Sequence, residues 1–263
     1  MNELPEWKIP TGISQNLWTY VTSSDVASRY DSELTASPLF RHDIEAAKRF
    51  FDRPGMLIDL GCGTGRLMAT LAAFGIDSIG VDLSWAMLQV ASQRQIVKAQ
   101  LLRANIVELD ALADHAFDYA ACLFSTLGML EREADRRKVL QHVFRILKPA
   151  GRFLLHVHNR YFHWRTTTGR RWLWRDAWRR LRGDEAAGNF EPPEGASAPT
   201  LHHFSLREVR RLLRQAGFRI QFVDPISLRD DCRLPLSWLL PGLRAHGFLM
   251  GCEKPSVHSR GRR

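Results

Sequence analysis

Along this chain the apolar positions alternate between short continuous runs and helical spacing. Phe40, Ile44, Ala47 and Phe51 recur at helical intervals behind Ser37, a good cap, and Pro38, which suits a first helical position. The run MLIDLG then predicts a strand, GRLMATLAAF a helix with Leu67, Leu71 and Phe74 on one face, and SIGVDL a second strand. Ser84 caps another helix, AQLLRAN and FDYAACLF predict the third and fourth strands, and a helix runs through Val139, Val143 and Leu147. After the KPAG turn, RFLLHVHN is the fifth strand. Such alternation predicts a parallel, doubly wound α/β sheet with helices on both faces and ligands at the carboxyl ends of its strands.

The last third departs from strict alternation. SLREVRRLLRQAG is a helix: Ser205 and Glu208 form a capping box, Leu206, Val209, Leu213 and Ala216 share a face, and Gly217 ends it. FRIQFVD and GFLMGCEKP follow as strands with no clear amphipathic helix between them, so an antiparallel end to the sheet is expected. Residues 1–36 are expected to be an irregular arm, because Trp7, Trp18, Tyr20 and Tyr30 are spaced too widely for one stripe. Residues 37–255 form the main domain, and 256–263 a basic tail.

Composition narrows the class only a little. With 263 residues, 45% of them hydrophobic, the chain can fill a sizeable core. Cys62, Cys122, Cys232 and Cys252 lie far apart, which argues against zinc spacing and a disulfide framework and fits a reducing, cytoplasmic setting. No leader pattern and no apolar run of spanning length is present. The net charge of +9 is concentrated: residues 160–183 hold eight arginines against one acid, Asp176.

Chemistry enters at LIDLGCGTGRL. Gly61, Gly63 and Gly65 allow a tight strand-to-helix turn that a ligand can approach closely. A dinucleotide fingerprint would carry a third glycine where Arg66 stands, and the lysine of a phosphate-cradling loop is absent. Asp59 ahead of the turn fits a cationic, phosphate-free ligand, and Asp82, closing the second strand, can accept from two ribose hydroxyls.

DLGCGTG, GVDLS, ANIVEL, FDYAACLF, ILKPAGRFLL and the final KP strand, in this order and spacing, resemble a class I S-adenosylmethionine-dependent methyltransferase over residues 37–159 and 200–255. The resemblance implies a Rossmann-like, seven-stranded sheet, mostly parallel with an antiparallel last strand, and S-adenosyl-L-methionine as cofactor. It places Gly61, Cys62, Gly63 and Gly65 at the methionine part, Asp82 at the ribose and Leu83 at the adenine. Asn105 and Ile106 stand where the family has an acid for the adenine amino group and a backbone donor, the amide carbonyl still able to accept. Phe124 and Ser125 would border the methyl.

A sulfonium methyl is already activated, so such a reaction needs positioning and shielding more than covalent help, and no metal. An acceptor requiring a base would find it in His158, nearest the end of the fifth strand, or in His156 on the same face; His202 and His203 are further candidates. Asn159, Arg160, Trp164 and His203 are candidate acceptor contacts. Substrate choice is expected in residues 160–200, a helical cap whose Leu173, Trp174, Ala177, Trp178 and Leu181 share one face. With that face packed on the domain, the cap covers a small-molecule acceptor. Alternatively, the arginines and tryptophans of 160–183 contact RNA or an anionic membrane surface for a tRNA or lipid acceptor. The stretch from Gly183 to Thr200 is expected to be a mobile connection. Further alternatives are an NAD-linked oxidoreductase and a catalytically silent binding module.

Overall fold

The computed structural model describes residues 9–23, 37–192 and 198–256. Trp7, Tyr30, part of the expected connection and nearly all of the basic tail lie outside the described residues. Eight helices occur among those residues: α1 (Gln15–Thr22), α2 (Pro38–Phe50), α3 (Arg66–Ala72), α4 (Trp85–Gln93), α5 (Glu133–Ile146), α6 (Thr167–Leu181), α7 (Leu206–Gln215) and the short α8 (Pro241–Arg244). The strands are β1 (Gly55–Leu60), β2 (Ile76–Asp82), β3 (Ala99–Arg103), β4 (Phe117–Cys122), β5 (Leu147–His158), β6 (Asn189–Phe190), β7 (Leu201–His202), β8 (Arg219–Ile226) and β9 (Gly247–Glu253).

Seven of these strands form one sheet in the order β3-β2-β1-β4-β5-β9-β8. The first five pair in parallel, and β9 runs antiparallel to both β5 and β8. The reversed strand is thus the last in sequence but lies inside the sheet. Strand alternation divides the core between two faces: Ile58 and Leu60 of β1 join Val139, Val143 and Leu213 on one side, while Leu57 joins Ile44, Ala47 and Leu71 on the other. Asp59 shares the strand face of Leu57, so its carboxyl projects toward α2 and α3 at the carboxyl end of β1. The capping box of α7 is present as the sequence predicts, with the Glu208 N–H donating to Ser205 Oγ over 3.1 Å.

Two expectations are corrected. The arm is not wholly irregular: Ser14 caps α1, accepting from the Leu17 N–H, and Leu17 is buried. In the insertion, α6 forms, but its inner face consists of Gly169, Trp172 and Asp176 rather than the tryptophan stripe. Trp174 is 69% exposed and Leu181 80%. The physical reason is ionic. Asp176 is buried against Arg160 and Arg180, accepts a hydrogen bond from the Gly188 N–H, and so turns its own face of the helix inward. Gly169 completes that face because a side chain there would run into the His163 carbonyl.

Candidate functional site

The glycine turn after β1 is built from left-handed residues. Gly61, Gly63 and Gly65 have φ of +75°, +53° and +77°, and a Cβ on Gly61 would lie 2.5 Å from the Thr126 methyl. Both Gly61 and Cys62 donate backbone N–H groups to the Val81 carbonyl, at 2.8 and 3.1 Å, which ties the turn to the end of β2. Asp82 tightens the same junction: its Oδ2 accepts from the Gly63 N–H and its Oδ1 from the Ser84 N–H, each over 2.8 Å.

Burial acts on both acids. It pushes the Asp59 carboxyl up to about 7, with the nearby Asp82 adding to the effect. The Asp82 carboxyl is also raised by burial, partly offset by the N–H groups it accepts from. A bound cation would restore to these carboxyls the charge partner that burial withholds.

The turn opens on a cleft between the sheet's carboxyl edge and the N-terminal arm. Gly61, Gly63, Asp82, Leu83, Asn105 and Ile106 line it, so the positions carried over from the resemblance for ribose and adenine converge on one space. Ile13, Leu17, Tyr20 and Val21 of the N-terminal arm form another wall. Asn105 joins that wall to the domain, its Nδ2 donating to the Thr11 carbonyl over 2.8 Å while its Oδ1 accepts from the Val107 N–H. Of charged side chains, the cleft is lined by Asp82 alone among the described residues. These features fit a cation with a ribose and no phosphate: a glycine cradle that any Cβ would fill, acid at the end of β2 and no cationic lining.

A second, smaller recess shares Gly61 and is lined by Phe40, Asp59, Cys62, Arg66, Leu123 and Phe124, with Arg66 stacked over the Phe40 ring. Phe124 and its neighbour Ser125 are non-glycine residues at φ +52° and +60°, a strained conformation of the kind concentrated at functional sites. The Ser125 N–H donates to the His156 carbonyl, and its Oγ accepts from the His158 N–H. The end of β4 is therefore fastened to the end of β5.

His156 and His158 stand behind this junction, and neither lines the cleft or the recess. His156 Nδ1 lies 2.7 Å from Asp43 Oδ2, with both side chains fully buried; His156 Nε2 and Asp43 Oδ1 have no hydrogen-bond partner among the described residues. His158 packs among the imidazoles of His156, His203 and His246, and burial holds it well below the usual histidine range. His203 is lowered likewise, and its Nδ1 lies 3.0 Å from His163 Nε2.

The candidate acceptor contacts fall elsewhere. Asn159 donates to the Gly242 and Ala245 carbonyls and accepts from the Tyr161 N–H. Arg160 is buried with its Nε donating to the His203 carbonyl and Glu208 3.2 Å from its Nη2. Trp164 is partly exposed and donates to the Leu243 carbonyl. Among the described residues, none of 160–200 lines the cleft or the recess; the cleft wall comes from the arm instead. Ile13, Leu17, Tyr20 and Thr126 are the contributors that the sequence analysis missed. The spacing of Ile13, Leu17 and Tyr20 around the cap Ser14 was the available signal.

A family model described as "Methyltransferase domain" matches residues 37–222. The chain is 33% identical over 143 residues to a demethylmenaquinone methyltransferase of Thermus thermophilus, a match covering 50% of this chain and 62% of that protein. It is 31% identical over 140 residues to a ubiquinone biosynthesis O-methyltransferase of Pseudomonas fluorescens, covering 50% and 58%. The matched stretch thus spans about three fifths of the length of these two relatives. Among solved structures, a methyltransferase from Methanosarcina mazei aligns with a TM-score of 0.63 at 22% identity, covering 80% of this chain and 97% of that one. The 1,6-didemethyltoxoflavin-N1-methyltransferase of Burkholderia thailandensis, solved with 1,6-didemethyltoxoflavin and S-adenosylhomocysteine, aligns with a TM-score of 0.60 at 19% identity, covering 95% and 93%. At these identities the likeness to the solved structures is one of fold.

Proposed function

Because this chain belongs to the class I S-adenosylmethionine-dependent methyltransferases, with S-adenosylmethionine as cofactor, we propose that it methylates a small, largely apolar molecule seated beside Phe124. The cofactor supplies an electrophilic methyl on a sulfonium. Asp82 and Leu83 would hold its ribose and adenine, Asn105 and Ile106 the adenine edge, and Gly61, Cys62, Gly63 and Gly65 would leave room for its methionine part. Asp59 would set a carboxylate near the positive charge.

The observation that carries the acceptor proposal is the recess of Phe40, Leu123 and Phe124. It joins the cofactor cleft at Gly61, and the ring centroids of Phe40 and Phe124 lie 5.6 Å apart. A recess with this aromatic wall, opposite Asp59 and Arg66, can orient a small ring system beside the cofactor, which is most of what methyl transfer asks. The toxoflavin enzyme, solved with 1,6-didemethyltoxoflavin bound, supports the same class. Neither histidine of β5 lines the recess, so neither is placed to take a proton directly from an acceptor seated there: His156 is fully buried against Asp43, and burial and its histidine neighbours keep His158 in the neutral, weakly basic form.

Methyl-labelled cofactor incubated with cell extract, followed by separation into small-molecule, RNA, protein and lipid fractions, tests this proposal. Label is expected in the small-molecule fraction and is expected to vanish with Asp82→Ala. Calorimetry should show this variant binding the cofactor roughly thirty- to hundred-fold more weakly, since the ribose hydroxyls lose their charged acceptor. Label confined to RNA or lipid would overturn the acceptor assignment.

A further inference from the structure

An apolar surface outside the cleft lining lies on the loop between β8 and β9. Between β8 and β9 the loop presents Leu236, Trp238, Leu239, Leu240 and Leu243 to solvent, with Trp238 77% and Leu240 62% exposed. Trp164 extends this surface, its Nε1 donating to the Leu243 carbonyl. We propose that this surface docks on an anionic lipid bilayer.

The loop is braced in the form that exposes these side chains. The Arg244 guanidinium donates to the carbonyls of Pro235, Leu236 and Leu239, folding the segment back on itself. Leu236 and Leu240 hold φ of +49° and +45°, a conformation that bulky residues avoid unless the surroundings impose it. Arg244 thus organises the backbone while the leucines and Trp238 face outward. Leucines with tryptophan at their edge match the acyl and headgroup layers of a membrane surface.

Charge selects the kind of surface. Arg165 donates to the Arg244 carbonyl and Arg170 to the Trp164 carbonyl, so the apolar loop meets the arginine-rich insertion at Trp164. From there α6 carries Arg171 and Arg175 around exposed Trp174 and Trp178. This concentration of positive charge opposes self-association of two copies and favours anionic headgroups. Nucleic acid would use the arginines and tryptophans, but it gives the five leucine and tryptophan side chains of the loop no hydrocarbon to enter. The placement also has a geometric basis. β8 runs parallel to β5, so its loop emerges at the carboxyl edge of the sheet, the edge at which the cofactor cleft opens.

Co-sedimentation of the purified full chain with phosphatidylcholine vesicles, with and without phosphatidylglycerol, tests the proposal without reading methyl transfer, so its failure and that of the proposed activity are distinguishable. Binding is expected only with phosphatidylglycerol and should decline as salt rises. Trp238→Ser with Leu239→Ser should lower vesicle partitioning at least ten-fold while cofactor calorimetry and the melting temperature stay unchanged. Equal sedimentation of wild type and double variant would overturn the proposal. So would a wild type that stays in the supernatant with both vesicles, or one that binds polyuridylate but not vesicles.

Discussion

At the β1–β2 end of the sheet's carboxyl edge burial raises two carboxyls, Asp59 and Asp82; at the β5–β9 end it lowers four imidazoles, those of His158, His163, His203 and His246. In each place removal from water drives the group toward its neutral form. The outcomes differ because one site is open and the other closed. The carboxyls line spaces that a cation can enter, so a ligand can reverse what burial imposed. The imidazoles pack on one another, with His163 bonded to His203 and stacked on Phe190. The first end is built to receive charge and the second to do without it.

The sharpest break in the comparison is Asp43, the one carboxylate hydrogen-bonded to a histidine of β5 among the described residues. Asp43→Ala leaves the buried His156 Nδ1 without its partner and should cost about 3 kcal/mol of stability by chemical denaturation. Asp43→Asn, which can still accept from that nitrogen, should recover most of it. If Asp43→Ala unfolds at the wild-type midpoint, the pair does not hold the β5 end closed.

Next in size is the pH dependence, in which the two ends oppose each other. Folded Asp59 titrates at about 7 but near 3.9 when unfolded, so between roughly pH 4 and 7 the folded chain keeps a proton that the unfolded chain releases. Stability from this group falls as pH rises through that window, by no more than about 4 kcal/mol, and then levels off. The buried histidines do the reverse. His246, lowered to about 4, is charged in the unfolded chain below about 6.5 but neutral in the folded one, so its contribution rises with pH over roughly 4 to 6.5. Melting curves of the apoprotein from pH 4 to 9 should therefore rise more steeply for Asp59→Asn than for wild type below pH 6.5. Cofactor affinity of the wild type should climb as Asp59 ionises near pH 7, and that climb should be absent in the variant. Parallel melting curves would place the titration elsewhere.

The smallest effect is expected on the outer face of α6. Trp174→Ser should shift stability by about 0.5 kcal/mol or less in thermal melts, because the side chain is mostly solvated. A loss comparable to that of Asp43→Ala would mean that this face is covered in solution.

Much of the first end was legible because its signals are local. The glycine turn, Asp82 closing β2 and the cap Ser84 are each written in a short stretch of chain, and the structure has the turn, the strand end and the cap where the sequence predicts. The second end was not legible for the opposite reason. Asp43 and His156 are 113 positions apart, and no local pattern joins them. The insertion misled because hydrophobic periodicity counts apolar side chains, whereas the inner face of α6 carries Asp176, whose burial is made tolerable by Arg160, a residue outside the helix. Helix α1 escaped because Trp7 and Tyr30 spread the aromatic pattern over a longer segment than the eight residues of the helix.

The reversed β9 has a consequence for how this chain can be altered. A connection between parallel strands must cross the sheet, and its length is tied to the helix it carries. Residues 227–246 join two antiparallel neighbours, so they cross nothing. Doubling such a segment costs only about 0.6 kcal/mol of closure entropy. The hairpin is accordingly the place at which foreign sequence could be grafted onto the carboxyl edge while every crossover of the sheet keeps its length.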